Sequence, residues 1–545
     1  MRWVATRNYY RLVAKARLRR EESLTKMKTI MNQIKEMETY GTKIESVLLL
    51  TLHDLCHSLS NGDVSPSYVL HAYLEKALDA TQKFNCITEF LPECLTQLAE
   101  LQGMNKGILY GIPVSIKDNI NYKGHDSTCG LGKFLNRPAG EDSVIVQVLK
   151  KQGAIPFVKT NVPQTLLRSQ CVLLYNSLAC SNPIYGQTIN PHDTKRTSGG
   201  SSGGEAALIA AGGSILGIGT DLCGSIRFPA ACCGICAFKP TANRLSKIGL
   251  SGGLPGQKTF ESMAGPLAKD VESLAMCMKA LLCEDMFHLD PTVPPVPFNN
   301  ELVSFTPPKM YYAMNEIVFP GFFADKGLTL IETLKEDIID PSLKFQMSIR
   351  TMPIVFKKLL YFILKPFSPR IADGFKAMTE IRSVEQLWKH HVAVMTYREE
   401  YIKAWGKHDI EVLLCPSVGP AFQTGRAGKL SASSSYTIIY NLLNFPAGVV
   451  PVTKVTKEDE EELMNYHGYK NDSWDKTFKK AVSGGVGLPL AVQCVALPWH
   501  DELCLCFMRE VEKLVKKKKG TQQPLEKSNL SVQADAELLK EQTLL

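Results

Sequence analysis

Along most of the chain, apolar residues come in short continuous runs set between helical patterns. EDSVIVQVLKKQG (141–153) repeats its apolar positions at helical spacing and closes on Gly153, and AIPFVKTN (154–161) directly behind it predicts a buried strand. Further on, ILGIG (215–219) predicts a strand and KDVESLAMCMKALLC (269–283) a helix. VLLCPS (412–417), GVVPVT (448–453) and PLAVQCVA (489–496) predict three more strands. Strands that are apolar throughout need cover on both faces, so the pattern predicts an α/β fold with a largely parallel or mixed sheet between helices. No internal repeat is visible. Residues 1–45 read as a charged helical arm, and from KKKKG (Lys516–Gly520) onward the polar composition predicts a disordered tail, 516–545.

Composition sharpens this in a few places only. With 545 residues, 45% hydrophobic and 21% charged, the chain is globular and long enough to bury a large core. Length alone would suggest three or four domains, a soft prior. The net charge of +8 is modest for this size and sits largely at the ends, so no nucleic-acid partner is expected. Seven basic side chains fall in the first twenty residues (Arg2, Arg7, Arg11, Lys15, Arg17, Arg19, Arg20), with no acid and with Trp3, Tyr9 and Tyr10 between them. Such an arm suits an anionic membrane surface, a mitochondrial presequence or a solvated helix equally. No stretch reaches about 18 apolar residues, so no transmembrane helix is expected. A secretory apolar segment is missing too, and the 16 cysteines are read as reduced thiols. In CCGIC, Cys233 and Cys236 have metal-ligand spacing, but no second CxxC or histidine pair completes four ligands, and the 11 histidines form no HExxH. Neither a metal nor a cofactor is expected.

The candidate chemistry lies in TSGGSSGGEAALIAAGGSILGIGTDLCGSIRFPA, Thr197–Ala230. Gly199, Gly200, Gly203 and Gly204 surround Ser201 and Ser202, and EAALIAA then begins a helix, so backbone N–H groups gather at a helix start. Phosphate binding would want G-x-x-x-x-G-K-[ST] or G-x-G-x-x-G behind a strand, and neither stands here. A flexible linker would not run straight into apolar helix- and strand-forming sequence. Acyl transfer remains: in GTDLCGSIRFP, Ser225 follows a tight turn whose N–H groups, from Leu222 through Cys223 and Gly224 to Ser225, are placed to meet a developing oxyanion. CGSIR does not match the G-x-S-x-G of histidine-based hydrolases, so the base is expected to be another residue.

GGSSGGEAALIAAGGSILGIGTDLCGSIRFPA, with GIPVSIKDNI (111–120) upstream and GLPLAVQ (487–493) downstream, resembles the amidase signature family. YKGHDSTCGL, FVKTNVPQTLL, FPAGVVPVTKVT and VALPWHDELCLCFMREVE extend the likeness, specifically toward vertebrate members acting on fatty acid amides, over roughly residues 45–515. The resemblance implies a single large α/β/α amidase-signature domain at 46–515 around a mixed, mostly buried sheet. It implies hydrolysis of fatty acid amides (primary amides, N-acylethanolamines) to the acid and an amine or ammonia, without metal or cofactor. It assigns Ser225 as nucleophile, Ser201 as bridging serine entered through a cis peptide from Gly200, and Lys117 of VSIKD as base. A lysine acts as base only when neutral, a state that burial favours, and Ser201 can both accept and donate a proton between Ser225 and Lys117. Substrate is expected to meet Leu166, Ser201, Leu222, Cys223, Gly224 and Ser225.

Between Asp340 and Asp373 no acid occurs, while Ile354, Val355, Leu359, Leu360, Phe362 and Ile363 stand among Lys357, Lys358, Lys365 and Arg370. On composition alone this is as well an ordinary helix hairpin; the resemblance favours a membrane-binding cap at 346–372. It also implies a homodimer, attached to the cytoplasmic side of intracellular membranes such as the endoplasmic reticulum. The membrane helix typical of the nearest members is not visible at the N-terminus, so attachment is expected to rest on the cap and the basic arm. Three departures stand out. Cys223 replaces a usual glycine and adds a side chain beside the expected oxyanion donors; Ser169–Ala179 looks longer than the usual connection; residues 310–345 look too short for the helix and strand expected there. Two other readings therefore stay open: an amidase of another substrate class, and a lipid-binding relative that has lost turnover.

Overall fold

The computed structural model describes residues 2–37, 44–166, 179–252, 259, 261–293, 308–335, 337–340, 349, 351–407, 411–424, 430, 433–468 and 471–520. Of the unusual connection at Ser169–Ala179, only Ala179 falls within them.

Eleven short strands are present among the described residues: β1 (Ile87–Phe90), β2 (Pro113–Lys117), β3 (Ile155–Thr160), β4 (Ser181–Asn182), β5 (Gly186–Gln187), β6 (Leu216–Asp221), β7 (Cys236–Lys239), β8 (Met263–Ala268), β9 (Val412–Pro416), β10 (Ala447–Lys454) and β11 (Pro489–Ala496). Nine of them form one sheet in the order β1-β3-β2-β6-β8-β7-β10-β11-β9, and β4 and β5 pair separately. The sheet is mixed, as expected, but parallel pairing is confined to β3, β2 and β6. All other neighbours run antiparallel. The five strands expected from apolar runs all form, and so do the helices Val144–Lys151 and Val271–Leu281, N-capped by Ser143 and Asp270.

The two faces of the sheet are covered by different layers. Val114 and Ile116 of β2, with Leu216 and Ile218 of β6, join the largest apolar cluster together with Leu274 and Cys277 of the helix Val271–Leu281 and with Leu505 and Met508 of the helix Asp501–Gly520. On the opposite face, Gly217 and Gly219 lie under the helix Gly203–Ala210 and its entry: a side chain at Gly217 would stand 2.2 Å from Glu205 Oε2, and one at Gly219 2.8 Å from Ser202 Oγ. Period-two alternation therefore turns Ser115 and Lys117 to the same side as these glycines.

The N-terminal helix Arg2–Met37 is laid onto this body. Arg17 Nε donates to Ile184 O (2.8 Å), Arg19 Nη2 to Asp126 Oδ2 (2.6 Å) and Arg20 Nε to Ile87 O (2.9 Å), while Met27, Ile30 and Ile34 enter the main core. These three arginines, Arg17 exposed and Arg19 and Arg20 half-buried, are tied to the body of the molecule, which departs from a free presequence or membrane-lying arm. At the other end, the helix Asp501–Gly520 runs through Lys516–Gly520, so the helix extends beyond the expected start of the tail. Glu512 pairs with Lys516 one turn on (3.3 Å), and basic residues suit a helix C-terminus. Residues 521–545 lie outside the described residues.

Residues 310–340 hold more helix than their length suggested: Met310–Tyr312, a π-helical stretch Ala313–Val318, Phe319–Phe322 and Leu328–Leu334, with no strand among the described residues. The expected cap contains the helix Ile354–Leu364 and the start of Pro369–Ala377. Val355, Phe356, Leu359, Phe362, Ile363 and Phe367 are exposed, whereas Leu360, Tyr361 and Leu364 turn toward a second apolar cluster.

Candidate active site

Lys117 is the last residue of β2 and is fully buried. Because β2 and β6 are parallel and in register at Ser115–Gly217 and Ile116–Ile218, its side chain reaches across to the end of β6. Nζ donates to Thr220 Oγ1 (2.8 Å), to Thr220 O (3.2 Å) and to Ser201 Oγ (2.8 Å), all uncharged oxygens. Thr220 Oγ1 in turn donates to Asn119 Oδ1 (3.3 Å).

Ser201 arrives from the glycine-rich loop, 2% exposed, through a cis Gly200–Ser201 peptide. Gly199 takes φ 74°, and a side chain there would stand 2.6 Å from Pro229 Cα, so only glycine lets the loop pass. Ser202 N donates to Ser225 O (3.0 Å), tying this loop to the nucleophile turn. Ser225 is 5% exposed, and among the described residues its Oγ has no hydrogen-bond partner.

Asp221, buried at the end of β6, holds that turn. It accepts from Gly224 N (2.5 Å), Ile226 N (3.1 Å), and Arg227 Nε (3.1 Å) and Nη2 (3.2 Å). Arg227 further donates to Gln493 Oε1 (2.8 Å) and Asn441 Oδ1 (2.6 Å), so the turn is tied to two distant segments. This corrects one expectation. Gly224 does not leave its N–H open; it gives it to Asp221, while the N–H groups of Leu222 and Ser225 have no acceptor among the described residues. Glycine is required there for another reason: φ is 102° and a Cβ would meet Thr437 Oγ1 at 2.3 Å.

Cys223 does not crowd the site in the expected way. It is 1% exposed and packs in the second apolar cluster with Met314, Ile317, Ile438 and Ile439, while Thr437 Oγ1 donates to its carbonyl (2.9 Å). Leu222 is half-buried against the same cluster. Leu166, by contrast, is not joined to the Ser–Ser–Lys group among the described residues. It packs with Cys129, Leu131, Leu330 and Leu334, at φ 58° next to Thr165 at 68°. The cysteines of CCGIC diverge, Cys233 Sγ facing Ser198 O (3.5 Å) and Cys236 Sγ facing Glu512 Oε1 (3.8 Å).

Reading the sequence alone missed the groups that position the site: Thr220, Asp221, Arg227, Asn441 and Glu205. The acid of GTDLCGSIR, four residues before Ser225, was the available signal, since a buried acid at a strand end can gather the N–H groups of the following turn. Glu205 accepts from Ser115 Oγ (2.6 Å) and Thr160 Oγ1 (2.8 Å). Burial pushes its carboxyl up to about 8 against those hydrogen bonds and the charge of Lys117. A serine hydroxyl at a turn with two open N–H groups, beside a buried serine–lysine pair, is equipped for nucleophilic attack on a carbonyl and proton relay.

A family model described as Amidase matches residues 68–305 and 297–505. The chain belongs to that family, has its fold, and is an amide hydrolase. Among curated relatives it is 44% identical over 557 residues to "Fatty-acid amide hydrolase 1" of Sus scrofa, covering 94% of each chain. It is also 35% identical over 514 residues to "Fatty acid amide hydrolase 1" of Caenorhabditis elegans, covering 85% of this chain and 88% of that one. A solved structure named "Fatty acid amide hydrolase" superposes with a TM-score of 0.76 at 22% identity, covering 94% and 96% of the two chains. A native peptide amidase from Stenotrophomonas maltophilia does so at 0.59 and 19%, covering 86% and 97%; both speak to fold alone.

Proposed function

We propose that this protein hydrolyses fatty acid amides, with Ser225 as nucleophile, Ser201 as relay and Lys117 as base. The reading is carried by the buried Lys117 Nζ–Ser201 Oγ hydrogen bond of 2.8 Å next to the Ser225 turn, and the vertebrate relative supports the substrate class. Neutral Lys117 takes the proton of Ser201, which takes that of Ser225 as its Oγ bonds to the amide carbon. The oxyanion is met by the N–H groups of Leu222 and Ser225, with Cys223 and Gly224 shaping the turn. Collapse breaks the C–N bond, and the proton returns through Ser201 to the nitrogen, which leaves as amine or ammonia. Water, deprotonated by the same relay, then cleaves the Ser225 ester and releases the acid. Leu166 is assigned to the acyl-chain path.

The exposed side chains Val355, Phe356, Leu359, Phe362, Ile363 and Phe367, flanked by Lys358 and Lys365, support peripheral docking of the cap on a membrane. No helix among the described residues is long and apolar enough to cross a membrane. Val384, Trp388, Val392 and Met395 form an exposed stripe at helical spacing along Val384–Lys407, which supports a second copy of the chain as its cover. We assign the cytoplasmic face of intracellular membranes, where buried thiols stay reduced.

The deciding experiment is labelling with a fluorophosphonate together with turnover of oleamide beside acetamide. Ser225→Ala is expected to lose the label, and oleamide to be strongly preferred. A folded wild type that takes no label, or that prefers acetamide, refutes the reading.

A further inference from the structure

On the side of the sheet away from Ser225, the helices Val271–Leu281 and Asp501–Gly520 flank a cavity of about 870 Å³. The sheet separates it from the catalytic groups: Leu216 and Ile218 of β6 face this layer, whereas Gly217 and Gly219 face Glu205 and Ser202. Volumes of this order hold a ligand of drug size. Its wall is apolar at Met276, Met278, Leu282, Phe287 and Leu505. From Glu272 to Leu282 the flanking helix rises about 15 Å, long enough to lie beside an extended acyl chain.

The charges on the wall are unevenly matched. Glu272 pairs with Arg509 (2.9 Å) and Glu502 with buried Arg244 (2.5 Å), while Asp501 accepts from Thr241 N (2.6 Å) and Oγ1 (2.7 Å). All three carboxylates are thus engaged. Lys279, exposed on the same wall, has no ion pair among the described residues. The Asp501 oxygens are filled by uncharged donors, so the charged group on the wall left open to a ligand is the Lys279 ammonium, and an apolar slot beside an open cation favours an alkyl chain ending in an anion over a neutral amide.

We propose that this cavity is a second ligand site, taking a long-chain carboxylate with its chain along Met276, Leu282, Phe287 and Leu505 and its head at Lys279. The ligand class is that of the acid the proposed reaction releases; only the biological source of the ligand rests on that reading, not the site. To keep the two apart, Ser225 is blocked with a fluorophosphonate, and oleate is titrated into the intact chain by calorimetry below its micelle concentration. One equivalent is expected to bind. Lys279→Glu is expected to weaken binding by about tenfold or more, as for a partly screened charge reversal. Ala275→Trp, which sends an indole into the cavity, is expected to abolish it, and both variants should hydrolyse a short soluble ester like wild type. Absence of oleate binding to blocked protein overturns the site. Oleate affinity unchanged in both variants would assign binding to the exposed cap and also overturns it. Oleyl alcohol binding as tightly as oleate overturns the role of Lys279. Failure of labelling would count against Ser225 alone, because the two variants still report on the cavity.

Discussion

Asp221→Asn removes one charge and almost no volume from the group that holds the Ser225 turn. The carboxylate receives at least five N–H donors, from Gly224, Ile226, Arg227 twice and Asn441. An asparagine offers one acceptor oxygen where the aspartate has two, and its amide nitrogen would confront donors. Arg227 would keep its charge, with both members of the pair at 0% exposure in the wild type. Removing one partner of such a pair costs about 3–5 kcal/mol, within a total stability of about 5–15 kcal/mol. The variant should therefore fold at 25 °C with a much lower urea midpoint. Loosening the turn also shifts the N–H groups of Leu222 and Ser225, and losing one such donor costs about 10²- to 10³-fold in kcat. Adding Arg227→Met should recover much of the stability, because the orphaned charge is gone, without recovering kcat. Urea unfolding, kcat on oleamide and the rate of fluorophosphonate labelling test both effects. The reasoning is refuted if the single variant keeps stability within about 1 kcal/mol, less than a broken buried pair costs, together with near-wild-type turnover.

Lys117→Ala should lower oleamide hydrolysis more than methyl oleate hydrolysis, by about 10²- to 10⁴-fold, because only the amide also needs a proton on its leaving group; kcat/KM for both across pH 6–10 checks this, and near-wild-type amide turnover removes Lys117 from the mechanism. Glu205, pushed up to about 8, lies above an unfolded glutamate near about 4.3, so its contribution is fully present below that lower value and is lost as pH rises through 8, with a slope of about 1.4 kcal/mol per pH unit between. Glu205→Gln should flatten that slope, and parallel urea midpoints for the two proteins from pH 5 to 8 would show the carboxyl to be ionised already. Cys223→Gly should lower stability by about 1 kcal/mol through lost packing and leave kcat nearly unchanged; a large gain in turnover would mean that the thiol crowds the oxyanion donors after all.

The sheet strands were legible in the sequence because apolar runs leave a local mark, and Lys117 and Ser201, named there by the family resemblance, do meet beside the Ser225 turn. Continuous apolar runs such as PLAVQCVA become strands wherever both faces are covered, and the glycines around Ser201 and Ser225 mark backbone with close neighbours, Pro229 Cα at Gly199 and the Thr437 side chain at Gly224. The support of the site left no such mark. Asn441 and Gln493 reach Arg227 from more than 200 residues away, and nothing local distinguishes them from surface amides. The arm misled for the same reason: its arginines read as a free basic face, yet their acceptors, Ile184 O, Asp126 and Ile87 O, come from distant loops and strands. At Gly224 the turn was legible but the direction of its N–H was not, since that depends on where Asp221 sits relative to it.

The position of the site follows from the one parallel part of the sheet. β3, β2 and β6 point their carboxyl ends the same way, and crevices beyond such ends are where α/β sheets bind ligands. Thr160, Lys117 and Asp221 are the last residues of these three strands, so one end of the sheet delivers the Glu205 partner, the buried lysine and the anchor of the turn side by side. Adjacent strands are about 4.8 Å apart, enough for Lys117 to cross onto Thr220 of β6, where its Nζ is held. Ser201 comes to that Nζ from the layer above, and its loop is tied to Ser225 O through Ser202 N. Lys117 at the end of β2 and Ser225 in the turn that follows β6 are thus approached by a third element, the loop that carries Ser201, and the relay proposed above uses that placement.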